Sequence, residues 1–223
     1  MQADLMAMVE KRTKEMDNLR DAILQWAGEF VEFRDDTSGK HIEHVRRYME
    51  ILINAAKKEG SYVKELSGWN VKAVLLASAL HDVGKIKIPD SILLKKGRLS
   101  PKEFEQMKRH CLYGKQLLES LGTRLSEETF LEYAKAMAYS HHEKWDGTGY
   151  PENLKGEKIP LEARMMALVD VYDAMVSVRP YKPACSHDQA IKTIKKERGT
   201  HFDPALVDLF VKFSDEINKV TTD

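Results

Sequence analysis

Val71-Lys72-Ala73-Val74-Leu75-Leu76-Ala77-Ser78-Ala79-Leu80-His81-Asp82-Val83-Gly84 is the stretch on which the fold turns. It reads as an apolar helix over residues 71–82, closed by Gly84 as a left-handed C-cap. Its most apolar part, residues 74–80, is far too short to span a bilayer. The helix ends on an imidazole and a carboxylate, two polar groups at the edge of an apolar stripe.

Outward from this helix, every further segment that can be read is also helical. Residues 41–58 put Val45, Tyr48, Met49, Leu52 and Ala56 on one face. Ser100-Pro101-Lys102-Glu103 is a capping box with proline at the first helical position. The helix it opens carries Phe104, Met107, Cys111, Leu118 and Leu121 and stops near Gly122. Another helix spans about 127–142, and a loop rich in glycine and proline follows over 146–160. Pro160 begins a helix through residue 178. Ser186-x-x-Gln189 opens one that ends before Gly199, and Asp203-Pro204 opens the last. Residues 35–40 read as a polar turn and 60–69 as a loop or short helix. No alternation of apolar and polar residues demands a sheet. The expected architecture is an all-α helical bundle.

Leu5, Val9, Arg12, Met16, Leu19, Ile23, Trp26, Phe30 and Phe33 are spaced alternately four and three. This is a heptad seam with one charged break at Arg12. The bulky part, residues 26–33, suits core packing, and residues 5–19 suit a partner helix. The expected organisation is a helical stem over 1–33, a candidate coiled coil and homodimer contact, and one domain over 34–223.

The 223 residues bound a single large core, with 35 basic and 35 acidic side chains and formal net charge zero. That balance argues against a bulk electrostatic binder of nucleic acid polymer. No apolar run suits membrane insertion. Two cysteines, Cys111 and Cys185, exclude a disulfide scaffold and point to a reducing, cytoplasmic compartment.

The eight histidines matter through their placement. His81-Asp82 end one helix, His110 lies on a second, His141-His142 end a third and His41 starts a fourth. Asp170 and Asp173 share a face of a fifth. Taken singly, His110 is most simply a core histidine. Taken together, so many polar groups on five helices are costly to bury without a shared purpose. Neutral imidazole with carboxylate is a ligand set for Zn, Mn or Fe, and a bundle interior brings such groups together.

Ala79-Leu80-His81-Asp82-Val83-Gly84-Lys85-Ile86-x-Ile88-Pro89 resembles the signature of the HD superfamily of metal-dependent phosphohydrolases. His141-His142-Glu143-x-x-Asp146-Gly147-x-Gly149-Tyr150-Pro151 resembles the extended motif of its HD-GYP subgroup. Asp170-Val171-Tyr172-Asp173-Ala174 and Arg179-Pro180-Tyr181-Lys182 continue the resemblance, which covers residue 30 to the C-terminus. It implies a phosphodiesterase that hydrolyses cyclic di-GMP to linear pGpG, GMP or both. It also implies His41, His81, Asp82, His110, His141, His142 and Asp170 as ligands of two divalent metals, with Asp82 bridging. Iron is the first expectation, with manganese, zinc or nickel as alternatives. Lys85 matches a lysine beside the attacking water, with Asp82 in the same catalytic centre. Arg179 and Lys182 match a pair that contacts phosphate, and Tyr150 and Asp173 match positions near the nucleotide. Two metals on the order of 4 Å apart can activate water and hold a phosphate oxygen.

Gly147, Gly149 and Pro151 shape a loop that reads as a rim for the dinucleotide. The loop is also a candidate docking surface for a diguanylate cyclase or adaptor. Trp145 suits either stacking on a base or anchoring the loop. The stem resembles linkers to an upstream receiver or sensor domain.

Two positions depart from the family pattern. Thr37 stands where a glutamate often helps bind a third metal, so two metals are expected. His44 replaces a common arginine and can ligate, contact a carboxylate or face solvent, the last being expected. His187 is expected to be exposed. The competing functions are hydrolysis of another cyclic dinucleotide, and a catalytically weak sensing or docking module.

Overall fold

The computed structural model describes residues 2–34, 40–123, 128–177 and 184–222. Among these residues there is no strand, only an isolated bridge between Arg198 and Phe202, so the all-α expectation holds. The expected turn at 35–40 falls, except for Lys40, outside the described residues, as do Thr37, Arg179 and Lys182.

Helix α8 (Leu161–Val176) is the centre of the bundle. Residues 163–169 are all buried, because a helix that is apolar on nearly every side can only be an interior element. Helix α2 (His41–Lys58) lays Val45, Tyr48, Met49, Leu52, Ile53 and Ala56 against it. Tyr172 of α8 meets Tyr48 edge-on at 5.2 Å and the Phe210 ring at 5.1 Å. Helix α7 (Glu128–Ser140) adds Phe130, Leu131, Ala134, Met137 and Ala138.

The capping boxes form as the sequence predicts. The Ser100 hydroxyl accepts the Glu103 N–H, and Glu103 accepts the Ser100 N–H, opening α6 (Pro101–Gly122). Ser186 and Gln189 do the same for α9 (His187–Lys196). The Asp203 carboxylate accepts the Ala205 N–H and opens α10 (Pro204–Lys212). That helix is not the last: the chain breaks at Phe213 and continues as α11 (Ser214–Thr222). Between α2 and α6 lie the short α3 (Val63–Leu66), α4 (Val71–Ala77) and α5 (Asp90–Leu93).

Two expectations fail at the stretch that opened the reading. Helix α4 ends at Ala77 and tightens into a 3-10 turn over Ser78–Leu80, and a second such turn spans Val83–Lys87. Gly84 is not left-handed. A Cβ there would lie 1.9 Å from the His110 carbonyl oxygen and 2.4 Å from the Gly114 nitrogen. Glycine is required by the close approach of this turn to α6, not by a cap.

The stem also packs differently. Helix α1 (Gln2–Arg34) leaves Trp26, Phe30 and Phe33 more than half exposed, like Leu5 to Ile23 before them. The core contact uses another face, Leu24, Gly28, Val31 and Glu32. A glycine and a glutamate carry no apolar signal, so this stripe was hidden behind the bulkier seam.

Candidate metal centre

Five packed elements deliver the polar cluster. The turn after α4 brings His81 and Asp82, α6 brings His110, and the end of α7 brings His141 and His142. The first turn of α2 brings His41, and α8 brings Asp170 and Asp173.

Asp82 is the hub. Its Oδ1 lies 3.3 Å from His110 Nε2 and 3.6 Å from His141 Nε2. Its Oδ2 lies 3.3 Å from His81 Nε2 and 2.7 Å from Lys85 Nζ. Two groups of donor atoms result. Those of Asp82, His110, His141 and His142 lie within 4.8 Å of one another, as do those of Glu32, His41 and His81. Asp170 adjoins the second group, its Oδ1 3.6 Å from His41 Nε2.

The far side of each ring shows which way it is aimed. The Nδ1 atoms of His81, His110 and His141 lie 2.9, 2.8 and 2.8 Å from the carbonyls of Ser78, Met107 and Met137. A carbonyl can only accept, so Nδ1 carries the proton and Nε2 presents its lone pair to the cluster. His81 Nε2, His141 Nε2 and Asp82 Oδ1 are buried without a hydrogen-bond partner. Leaving such atoms unsatisfied costs about 1–3 kcal/mol each. A divalent cation supplies what imidazole lone pairs and a carboxylate oxygen lack, so these residues fit one.

Burial opposes a charge on His81, but Asp82, Asp170 and Glu32 raise it to about 9, so a metal on that ring would displace a proton; two other rings behave differently. Burial and the nearby His141 hold His110 down to about 4, against the pull of Asp82. Burial, His141 and His110 hold His142 well below its ordinary value. Both rings are therefore neutral donors. Burial opposes ionisation of Asp82, but Lys85 and His81 overcome it and keep the carboxyl well below the usual range.

Asp173, expected beside a nucleotide, stands behind the cluster instead. It is 1% exposed, and its two oxygens lie 2.7 Å from His41 Nδ1 and 3.0 Å from His44 Nδ1. It cannot turn to a ligand without giving up these bonds. They hold it at about 2 although burial pushes the other way. His44, expected in solvent, is half-buried and contacts that carboxylate. His187 is likewise engaged, 2.8 Å from the Tyr172 hydroxyl.

The glycine-rich loop is pinned to the end of α7. Glu143 is buried, and its two oxygens accept the Glu152 and Leu154 N–H groups at 2.7 and 3.0 Å. A Cβ on Gly149 would meet the Lys144 nitrogen at 2.3 Å, so only glycine lets the loop fold back. Tyr150 then packs its ring 4.8 Å from that of His142 and covers one side of the centre. Trp145 anchors the loop: its backbone N–H donates to the His201 carbonyl, and its ring lies 5.8 Å from the buried Arg164 guanidinium.

Glu32 is the residue that sequence reasoning missed. Leu24 and Val31, seven residues apart on the same face, were the one apolar signal beside it.

The helical architecture and the His-Asp hub define a class. A family model described as HD domain matches residues 6–206, and the chain belongs to that family. HD-domain phosphohydrolases bind divalent metals. The chain is 43% identical over 203 residues to a cyclic di-GMP phosphodiesterase of Vibrio cholerae, covering 91% of this chain and 41% of that protein. It is 39% identical over 189 residues to a 3'3'-cGAMP-specific phosphodiesterase of the same organism, covering 83% and 33%. The chain thus spans less than half the length of these relatives. A solved cyclic GMP-AMP specific phosphodiesterase of V. cholerae superposes with TM-score 0.56 at 20% identity, covering 90% of this chain and 53% of the other. That likeness is one of fold.

Proposed function

We propose that this chain is the HD-GYP catalytic domain of a phosphodiesterase that hydrolyses cyclic di-GMP. The observation that carries the reading is the pair of donor groups meeting at His81 and Asp82, a site for two divalent ions. The relative named a cyclic di-GMP phosphodiesterase supports the substrate.

In this reading His41, His81, Asp82, His110, His141, His142 and Asp170 hold two metals, iron first and manganese, zinc or nickel as alternatives. When bound, such a pair lowers the pKa of water and neutralises phosphate charge. The chain's own residues do the rest. Carbonyls of Ser78, Met107 and Met137 fix three rings in the required tautomer. Lys85, held by Asp82 at 2.7 Å, places positive charge beside the centre, where charge develops on the phosphoryl oxygens. Arg179 and Lys182 grip the phosphates, a planar fork and a point charge. Asp173 orients His41 and does not touch substrate. In the reaction water adds to phosphorus, one P–O ester bond breaks, and its oxygen leaves as a hydroxyl. A second hydrolysis of the linear pGpG yields GMP.

The exposed four-three seam of α1 pairs two copies of the chain, a reading supported by its spacing and by the exposure of Leu5, Val9, Met16, Leu19, Ile23, Trp26, Phe30 and Phe33. An upstream receiver or sensor domain and a diguanylate cyclase or adaptor at the Gly-Tyr-Pro loop are the remaining partners. No helix among the described residues is long and apolar enough to cross a membrane.

The test is turnover of cyclic di-GMP by protein reconstituted anaerobically with Fe(II) or Mn(II), with chromatography of the products. Metal-dependent pGpG or GMP is expected. His81→Ala with Asp82→Ala abolishes turnover and most metal binding while helix content stays near that of the parent. Full turnover in this variant would overturn the site. The 3'3'-cGAMP-specific relative favours a second reading, hydrolysis of that related ring, and the same assay with both substrates separates them.

A further inference from the structure

We infer that Glu32 is a metal ligand, so that the long helix α1 carries part of the metal centre. This rests on the two-metal reading above. Glu32 is 5% exposed on a helix whose other charged residues face solvent or the rim. Its carboxylate shares a 4.8 Å cluster with donor atoms of His41 and His81, two imidazoles from two other elements. Two imidazoles and a carboxylate form a donor set that Fe, Mn and Zn accept.

The docking of α1 is specific to this segment. A Cβ on Gly28 would meet the Ala79 carbonyl oxygen at 2.2 Å, so the helix rides directly on the backbone two residues before His81. At its other end, Arg34 donates to the carbonyls of Ile86 and Ile88, just beyond Lys85. The helix therefore grips both flanks of the turn that bears His81 and Asp82. None of Asp82, His110, His141 and His142 lies on α1. Lifting or rotating α1 removes a ligand from the second group and none from the first. The stem thereby sets occupancy of one metal position and not the other.

The test is Mn(II) binding by equilibrium dialysis, with electron paramagnetic resonance to read whether two bound ions are spin-coupled. The parent binds two coupled Mn(II) ions. Glu32→Gln, nearly isosteric, weakens one binding step at least about 10-fold, the lower end of what even outer-sphere changes cause, and loses the coupled signal. Gly28→Leu keeps every ligand but displaces α1, and it does the same while circular dichroism reports a folded chain. Parent affinity for both ions in Glu32→Gln overturns the ligand. Loss in Glu32→Gln without loss in folded Gly28→Leu overturns the coupling to the helix. Failure of the parent itself to bind divalent metal overturns the two-metal reading together with this inference.

Discussion

Gly84→Ala is the smallest change that separates a tertiary close approach from a helix cap. In a helical turn this substitution ordinarily helps by about 0.5–1 kcal/mol through propensity. Here the new Cβ arrives 1.9 Å from the His110 carbonyl oxygen and 2.4 Å from the Gly114 nitrogen, distances that real Cβ atoms do not adopt. Both obstacles are backbone atoms of α6, so no rotamer change relieves them. The turn must retreat by about 1 Å, at the upper end of the roughly 1–3 kcal/mol that overpacking costs. For a chain of this size 1 kcal/mol is about 2–4 °C in Tm, so a fall of roughly 4–12 °C is expected. The retreat also pulls Asp82, two residues away, from His110, now 3.3 Å distant across the same gap. A misplacement near 1 Å costs about 100-fold in rate, so turnover falls more steeply than stability. Gly68→Ala is the control, since nothing lies within 4 Å of its added Cβ, and it stays within about 0.5 kcal/mol of the parent. Calorimetry and the turnover assay read both effects. A Gly84→Ala protein as stable and active as the parent would refute the close-approach argument.

Arg164→Ala removes a guanidinium that donates to the buried Asp203 carboxylate at 2.7 Å and to the Ile159 carbonyl. It strands a buried charge, and urea denaturation should show a loss of about 3–5 kcal/mol; a loss below about 1 kcal/mol would put the pair in the class of surface contacts. Met16→Asp with Leu19→Asp puts charges on the exposed seam of α1. Sedimentation should show monomers at concentrations where the parent is a dimer, and an unchanged sedimentation coefficient there would remove the stem contact.

The sequence carried the histidines of the cluster because each interrupts or ends an apolar stripe, and apolar stripes are what periodicity detects. The capping boxes at Ser100 and Ser186 were legible because both partners lie within one turn. What failed depended on residues distant in the chain. Gly84 satisfies a local cap rule and a tertiary contact rule alike, and only the position of α6 distinguishes them. Trp26, Phe30 and Phe33 advertise a core that lies on the opposite face of their helix. Asp170 and Asp173 share a face, but spacing does not reveal that one meets the Nε2 side of His41 and the other its Nδ1 side. Glu32 resembled any solvated glutamate of a charged helix.

The two donor groups are built by different means, and the difference follows from where imidazoles sit on helices. In the first group His110 and His141 each rest on a carbonyl three or four residues earlier, supplied by their own helix, and His81 of the second group does the same within its turn. Their orientation is a local property, and only Asp82 must be brought to them. His41 is the first residue of α2, where no preceding helical turn exists to offer a carbonyl. Its Nδ1 therefore needs an acceptor from elsewhere, and Asp173 of α8 supplies it from 132 residues away. The second group thus depends on α1, α2 and α8 being docked together, through Glu32, His41 and the two aspartates. The first survives wherever α6, α7 and the turn after α4 remain packed. A centre with one self-oriented half and one half assembled across the fold has a built-in order. Disturbing the docking of the helices loosens the His41 side before the His110 side.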